Sequence, residues 1–206
     1  MEFITWPKTP RLFRDIVVTE KIDGTNACII FEEIDAGDEV LDPFHHSIVS
    51  DAIHNTFYVG AQSRNRFIYP GKQSDNHSFA AWVYAYAQEL FEILGPGRHY
   101  GEWWGQGIAR NYGADCKIFS LFNTAKHKGL SVKLGDNYIN TVPVLHEGPF
   151  SVSAIQEALY DLQTLGSHAW PGFRNAEGVA VYHTASRQVF KVTLDNEDKG
   201  KWEVES

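Results

Sequence analysis

A lysine, an aspartate and a glycine lie close together between two apolar runs in the segment "VVTEKIDGTNACIIF", as Lys21, Asp23 and Gly24. A lysine in water is protonated near pH 7 and is not a nucleophile. Desolvation or a cationic neighbour favours the neutral amine, which can then attack an electrophile. Gly24 lets a ligand approach the backbone closely, and Asp23 or Asn26 can orient the ligand's polar groups. Taken alone, so short a motif is also typical of a solvated turn.

Four more charged residues lie inside or beside apolar segments further along the chain. They are Arg64 in "AQSRNRF", Glu102 in "YGEWWGQG", Glu177 in "AEGVAVYH" and Lys191 in "VFKVTL". A lysine within a buried strand is unusual, and we expect Lys191 to be buried in this way. Taken singly, each residue is explained by a wet strand edge, a solvated turn or a lysine that extends out of a sheet. Taken together, they form an ordered series of candidate site residues.

The elements that position these residues follow from the spacing of apolar side chains. Strands are predicted at 16–20, 26–31, 56–62, 100–104 and 117–122, with a hairpin at 178–183 and 188–194. Helices are predicted at 78–94 and at 153–165, the second ending at Gly166. Residues 35–55 are polar and contain Gly37 and Pro43, which predicts a surface loop or insertion. This order predicts an α+β domain of mostly antiparallel sheets.

Composition limits the class of protein. The 206 residues are 43% hydrophobic and 14% aromatic, which predicts one globular domain. Neither cysteine, Cys28 or Cys116, lies in a CxxC pair, and the chain contains no signal-peptide or membrane-span pattern, so we expect a cytoplasmic protein with no membrane partner. The net charge of −8 argues against a general nucleic-acid coat, because proteins that bind phosphates over a broad face are usually basic.

The ordered motifs resemble those of the covalent nucleotidyltransferase superfamily of polynucleotide ligases and mRNA capping enzymes. They are most similar to the RNA ligase family, in the group that includes bacteriophage RNA ligase 2. The matches run from residue 20 to 194: KxDGxN at 21–26 preceded by Glu20, then Arg64, Glu102, Phe119 in "KIFSLF", Glu177-Gly178 and Lys191. The resemblance implies a nucleotidyltransferase domain, an ATP-grasp-like ligase fold of mostly antiparallel sheets flanked by helices.

The resemblance also implies catalytic and metal-binding roles. Lys21 attacks the α-phosphate of ATP and releases pyrophosphate. Lys191, the second catalytic residue, neutralises charge on that phosphate. Glu177 holds Mg²⁺ or Mn²⁺, hard cations that prefer oxygen ligands.

Further implied roles concern the bound nucleotide. Glu102 accepts hydrogen bonds from the ribose hydroxyls, and Phe119 stacks on the adenine. Arg64 contacts the nucleotide or the 5′-phosphate of the nucleic acid. The implied cofactor-binding set is Glu20, Ile22, Asp23, Gly24, Asn26, Arg64, Glu102, Phe119, Glu177 and Lys191.

The implied function is that of an ATP-dependent RNA ligase that joins 5′-phosphate and 3′-hydroxyl ends through a lysyl-AMP intermediate. Three alternatives stay open: a DNA or hybrid nick ligase, a GTP-dependent capping-type nucleotidyltransferase, and a non-catalytic nucleotide- or end-binding subunit. Thr193 stands where the family has a second lysine in its last motif, which favours less efficient self-adenylylation.

The chain ends 15 residues after Lys191. We therefore expect a single nucleotidyltransferase domain over 1–206, with no C-terminal oligonucleotide-binding (OB) or helical appendage. Intrinsic affinity for nucleic acid is then expected to be weak and salt-dependent. It would depend on an accessory protein or on a basic strip of Lys8, Arg11, Arg14, Arg64 and Arg66.

Overall fold

The computed structural model describes residues 2–34 and 47–195. The chain divides into two compact units, each with its own sheet and core. Unit 1 comprises residues up to Ile22 and from Val142 onwards, and unit 2 comprises Asp23–Thr141. In chain order the elements are β1 (Asp15–Lys21), β2 (Thr25–Glu33), β3 (Ser47–Ser50), β4 (Thr56–Ser63), β5 (Phe67–Ile68), α1 (Phe79–Ala85), α2 (Ala87–Leu94), β6 (Gly97–Gly105), β7 (Lys117–Leu121), β8 (Ser131–Leu134), β9 (Asn137–Thr141), β10 (Val144–Pro149), α3 (Val152–Leu165), β11 (Gly178–His183) and β12 (Gln188–Thr193).

Unit 1 is built on a four-stranded antiparallel sheet in the order β10–β1–β11–β12. Helix α3 packs against β10 and β11. Because side chains alternate along a strand, Ile16 and Val18 of β1 face Leu162 of the helix, and the opposite face of β1 carries Thr19 and Lys21. The sequence pattern thus buries one face of the sheet and leaves the other for polar residues.

Helix α3 lies where the sequence predicts a helix. The Ser151 hydroxyl accepts a hydrogen bond from the Ala154 N–H at 3.3 Å, which satisfies one of the donors left unpaired at a helix start. Gly166 ends the helix with a φ of 92°, a conformation that favours glycine. Cap and terminator are therefore both local sequence signals.

Unit 2 contains an eight-stranded sheet in the order β3–β4–β2–β6–β7–β9–β8, with β5 paired to β4. Among the strand pairs that the structure describes there, β7–β9 alone is parallel. Its core is rich in aromatic residues, including Phe31, Phe79, Trp82, Trp103 and Phe119. The α+β class with mostly antiparallel sheets is confirmed.

The single helix predicted over 78–94 is wrong. Helix α1 ends at Ala85 and α2 begins at Ala87, with Tyr86 between them at φ −118° and ψ 30°. The two segments pack on different strands, α1 on β4 and α2 on β3. Helical spacing continues across the break because both segments turn apolar side chains toward the same core, so periodicity alone does not reveal it.

The surface loop predicted over 35–55 is only partly correct. Residues 35–46 lie outside the described residues, and Ser47–Ser50 form β3, which pairs with β4. Strands β5, β8, β9 and β10 were also not predicted, because they are short or polar and lack clear alternation. Among the described residues, no helix has both the length and the apolar composition needed to cross a membrane.

Candidate active site

Lys21 lies at the end of β1, on the sheet face opposite α3, where its ammonium forms an ion pair with Oε1 of Glu177. Strand register explains the contact, because Lys21 pairs with Gly178 of β11 and Glu177 directly precedes that strand. Both side chains are partly buried, with 28% and 16% exposure. The second oxygen of Glu177, Oε2, is buried and has no hydrogen-bond partner among the described residues. That oxygen is therefore available to a ligand.

Glu20 is almost completely buried beside the catalytic lysine candidate. Its Oε2 accepts hydrogen bonds from the backbone N–H groups of His168 and Ala169, both at 2.8 Å. Its Oε1 is buried without a partner among the residues that the structure describes. Alternation along β1 turns Glu20 to the face opposite that of Lys21. Glu20 thus holds the segment after α3, and sequence reasoning did not anticipate this contact.

Lys191 lies on the same face of the unit 1 sheet as Lys21, but it is exposed. The expectation that it is buried inside a strand is wrong, because β12 is an edge strand of the described sheet. The strand register places Thr193 opposite Gly178, which in turn lies opposite Lys21. The residue that replaces the family's second lysine therefore shares a cross-strand row with Lys21.

In unit 2, Asp23 is held by a loop that follows β6. Its Oδ2 accepts a hydrogen bond from Arg110 Nε at 3.0 Å, and its backbone N–H donates to the Tyr112 hydroxyl at 2.9 Å. Sequence reasoning missed both partners. A signal for them was present in the glycine-flanked segment "GIARNYG", which begins five residues after Glu102.

The loop that follows β6 also has a strained backbone. Ala109, Asn111 and Tyr112 have φ values of 46°, 60° and 52°, a region that residues other than glycine seldom adopt. Each such residue costs about 1 kcal/mol or more, and surrounding contacts must hold it in place. The contacts of Arg110 and Tyr112 with Asp23 are among those that do so.

Gly24 is required by the packing of the chain itself. A Cβ atom at this position would lie 2.5 Å from the Trp103 carbonyl oxygen and 2.7 Å from Trp104 Cβ. Both neighbours belong to β6 and cannot move without disturbing the sheet. The glycine of the motif therefore lets β6 approach, in addition to any role toward a ligand.

Glu102 is joined to its neighbours through a row of polar side chains across the unit 2 sheet. Asn26 Nδ2 donates to Glu102 Oε2 at 2.8 Å, and Ser120 lies next to Glu102 in register. Ser120 Oγ accepts from Trp104 Nε1 at 2.8 Å and donates to Asn140 Oδ1 at 2.6 Å. Glu102 itself is 7% exposed. The row was not predicted, because it depends on strand pairing.

Phe119 does not share the face of Glu102. It pairs with Trp103 on the core side of the sheet, is fully buried and lies 5.1 Å from the Phe79 ring. The implied stacking of Phe119 on adenine disagrees with this placement, because adjacent residues of a strand face opposite sides. Arg64 is exposed in the turn between β4 and β5.

Glu177 is the metal-binding candidate, and its surroundings suit a metal shared with a substrate. Within residues 2–34 and 47–195, no group of three or more His, Cys, Asp or Glu residues is arranged to hold a metal ion. Mg²⁺ commonly binds through one or two carboxylates together with substrate phosphates and water. Oε2 of Glu177, which has no hydrogen-bond partner within the described part of the chain, fits that mode of binding.

Comparison with known proteins shows similarity to RNA ligases in sequence profile and in fold. The sequence profile of the family described as RNA ligase matches residues 14–193. A solved RNA ligase of Naegleria gruberi, an arginine-to-alanine mutant with ATP and Mn, is 15% identical, with a TM-score of 0.53 over 91% of this chain and 53% of that one. The apo form of a lysine-to-alanine mutant of a Naegleria gruberi RNA ligase is 16% identical, with a TM-score of 0.48 over 87% and 49%.

Two facts define how far the likeness extends. The chain spans about half the length of these solved structures. No curated protein matches it. The family match nevertheless covers most of the sequence and residues of both units. The chain therefore belongs to the RNA ligase family.

Proposed function

We propose that this protein is an ATP-dependent RNA ligase that works through a lysyl-AMP intermediate on Lys21. The observation that carries the proposal is the partly buried Lys21–Glu177 pair, in which Glu177 keeps one buried oxygen without a partner among the described residues. Family membership supports it, and so does the ATP and Mn in the similar Naegleria structure. Because the family match includes residues of both units, we propose that they belong to one nucleotidyltransferase domain.

The proposed reaction has three steps. Neutral Lys21 Nζ attacks the α-phosphorus of ATP, a phosphorus–nitrogen bond forms, and the bond to pyrophosphate breaks as the amine loses a proton to solvent. An oxygen of the RNA 5′-phosphate then takes the AMP from Lys21, and the amine is regenerated. In the last step, a 3′-hydroxyl loses its proton, attacks the 5′ phosphorus and releases AMP.

Glu177 would hold the metal ion beside the nucleophile. In the ion pair the carboxylate of Glu177 holds the amino group of Lys21. A divalent cation on Glu177 would compete with the Lys21 side chain for the carboxylate and would release that side chain for reaction. It would also neutralise phosphate charge. We therefore propose that metal and nucleotide arrive before Lys21 becomes reactive.

The remaining assignments follow the family pattern. We propose that Lys191 stabilises charge on the phosphates and that Arg64 contacts the nucleotide or the 5′-phosphate end. Glu102, oriented by the hydrogen bond from Asn26, would accept from the ribose hydroxyls. The proposed substrate is RNA with 5′-phosphate and 3′-hydroxyl ends. An adenine-stacking role for Phe119 is not proposed, since its ring is enclosed in the core.

The test is incubation with α-labelled ATP and Mg²⁺ or Mn²⁺, followed by denaturing electrophoresis. We expect a labelled band for the wild type and for Lys128→Ala, an exposed-lysine control, and no band for Lys21→Ala. Intact mass identifies any AMP attached during expression. If neither labelling nor pre-formed AMP is found, the lysyl-AMP mechanism is overturned.

Two further measurements separate the rival functions. Labelling with GTP in preference to ATP would indicate a capping-type enzyme, and sealing of DNA in preference to RNA would indicate a DNA ligase. The specific observation that favours a non-catalytic nucleotide-binding subunit is the uncharged Thr193 in the row of Lys21. A non-catalytic subunit would bind ATP, as measured by equilibrium dialysis, without covalent transfer of AMP to the protein.

A further inference from the structure

Residues 2–14, which we name the aromatic arm, precede β1 without forming a helix or strand. Three of its apolar side chains are almost fully exposed: Phe3 and Trp6 at 88% and Ile4 at 85%. Phe13 is 76% exposed. Isolated exposed apolar residues are ordinary, but a cluster of large ones indicates an interaction site.

Proline and a few contacts fix the course of the aromatic arm. Pro7 and Pro10 hold their own φ angles and bias the residues before them toward an extended backbone, so the arm does not coil into a helix. At its end, Leu12 carbonyl oxygen lies 2.7 Å from His183 Nε2, and the Phe13 ring lies 6.0 Å from that of Phe150. The arm is thus attached to unit 1 at one end, while its first aromatic residues face solvent.

Cations follow the first aromatic residues along the arm. The aromatic arm contains Lys8, Arg11 and Arg14 against a single carboxylate, Glu2, in a chain whose net charge is −8. All four side chains are exposed. None of the three cations forms a salt bridge with a residue in the part of the chain that the structure describes. The arm is therefore a local positive segment on an acidic protein.

A cavity of about 350 Å³ lies where the aromatic arm meets the sheet of unit 1. Its walls include Arg11, Phe150 and Phe190, and Phe190 is 52% exposed. A volume of this size lies within the range of small-ligand pockets. An aromatic wall beside a guanidinium group suits a flat ring attached to a phosphate.

We propose that the aromatic arm and this cavity bind single-stranded RNA, with bases stacked on Trp6, Phe3 and Phe190 and phosphates paired with Lys8 and Arg11. The inference deepens the proposed function, on which it rests for the identification of the bound strand as the ligase substrate. Single-strand binding sites combine aromatic stacking surfaces with positive charge, and both are present in this one segment. The positive charge of the arm is complementary to the phosphates of RNA.

The strand must be single because stacking needs an exposed base face. In a duplex the bases are already stacked on one another, so only the phosphates would meet the cations. Stacking and charge therefore give separate signatures. Loss of the aromatic residues lowers affinity at every salt concentration, whereas loss of cations reduces the dependence of affinity on salt.

The experiment measures fluorescence anisotropy of a labelled 12-nucleotide single-stranded RNA against the full chain over a range of salt concentrations. The aromatic variant carries Phe3→Ala and Trp6→Ala, the charge variant carries Lys8→Gln and Arg11→Gln, and the control carries Lys72→Gln and Lys128→Gln at exposed positions of unit 2. We expect the aromatic variant to raise Kd about tenfold or more with an unchanged salt slope. We expect the charge variant to lower the slope of log Kd against log salt by about 1.4, while the control changes neither.

The outcomes separate this inference from the proposed function. Unchanged RNA binding by both arm variants overturns the inference, whatever the result of ATP labelling. Equal loss of single-strand and duplex binding by the aromatic variant also overturns it, as does a dimer that the same variant converts to a monomer. All variants should keep wild-type labelling by ATP and wild-type Tm, because the arm residues changed are exposed and none is assigned to nucleotide chemistry. If the wild type is not labelled, the proposed function fails, while arm-dependent RNA binding would still support the inference.

Discussion

The charged residues of the candidate site are less fully hydrogen-bonded in unit 1 than in unit 2. In unit 1, Glu20 and Glu177 each keep one buried carboxylate oxygen without a partner among the described residues. In unit 2, Glu102 accepts a hydrogen bond from Asn26, and Asp23 accepts one from Arg110. An unpaired buried polar atom costs about 1–3 kcal/mol, so the site carboxylates of unit 1 lose stability that those of unit 2 keep through their hydrogen bonds.

The contrast suggests a division of roles. Unit 2 fixes its polar side chains in advance through side-chain hydrogen bonds and the close approach at Gly24. Unit 1 places Lys21 beside a carboxylate that still has capacity for a cation. Substitutions in unit 1 should therefore affect chemistry more than stability, and substitutions in unit 2 should affect stability strongly.

The largest effect is expected for Glu177→Gln. Loss of the carboxylate removes the proposed metal ligand, so self-adenylylation should fall at least about 100-fold. The free energy of unfolding should change by less than about 1 kcal/mol, because a partly exposed ion pair contributes little. Labelled-AMP transfer and urea unfolding measure the two quantities.

The matched variant in unit 2 is Asn26→Ala, which removes a hydrogen-bond donor from buried Glu102 and should lower the free energy of unfolding by about 1–3 kcal/mol. Equal losses of unfolding free energy for the two variants would contradict the proposed difference between unit 1 and unit 2.

Gly24→Ala tests the packing of unit 2. A Cβ at 2.5 Å from the Trp103 carbonyl oxygen must displace the backbone, and we expect a loss of about 2–3 kcal/mol in unfolding free energy. Gly60→Ala is the control, because its Cβ would meet only the Ile30 side chain, at 3.3 Å, and should cost less than about 1 kcal/mol. Urea unfolding compares them. If the Gly24 variant is as stable as the control, β6 can shift to make room for the added Cβ.

Acid should weaken unit 2 through His99. Burial lowers the pKa of His99 to about 4 from the model-peptide value of 6.5, and burial also lowers the pKa of His127, whose ring lies 5.6 Å away. The unfolded chain therefore takes up a proton on this residue below pH 6.5 while the folded chain does not. The contribution of His99 to the free energy of unfolding is complete above pH 6.5 and falls by about 3 kcal/mol toward pH 4. Urea unfolding from pH 7 to pH 4 measures the slope. His99→Phe should flatten it, and an equally steep slope in that variant would assign the effect to other groups.

The smallest effect is expected for Thr193→Lys. A lysine here would add a cation to the row that contains Lys21 and restore the family's last motif, and we expect self-adenylylation to quicken about threefold. Gln188→Lys is the control, because it adds the same charge at the far end of β12. Single-turnover labelling measures both rates. Equal labelling rates for the two variants would mean that a charge at position 193 does not interact with the phosphates of ATP.

Local signals account for much of what the sequence predicted correctly. The strands around Lys21, the α3 helix and the β11–β12 hairpin follow from apolar alternation, a serine cap and terminal glycines. The break at Tyr86 and strand β3 were missed, since tertiary packing decides both. For the site, the residue types were predictable, but the pairings that involve Arg110, Tyr112 and Asn140 were not. Loop packing brings Arg110 and Tyr112 to Asp23, and strand pairing brings Asn140 to Ser120.

The sequence by itself determined the order and chemistry of the motif residues, since nucleophile, carboxylates and cations occupy fixed positions along the chain. Only the tertiary structure decided which of them meet. The pairing of β1 with β11 brings Lys21 to Glu177, and the alternation of β7 turns Phe119 into the core, away from Glu102. Strand register sets both outcomes, because a shift of one residue turns every side chain of a strand to the other face.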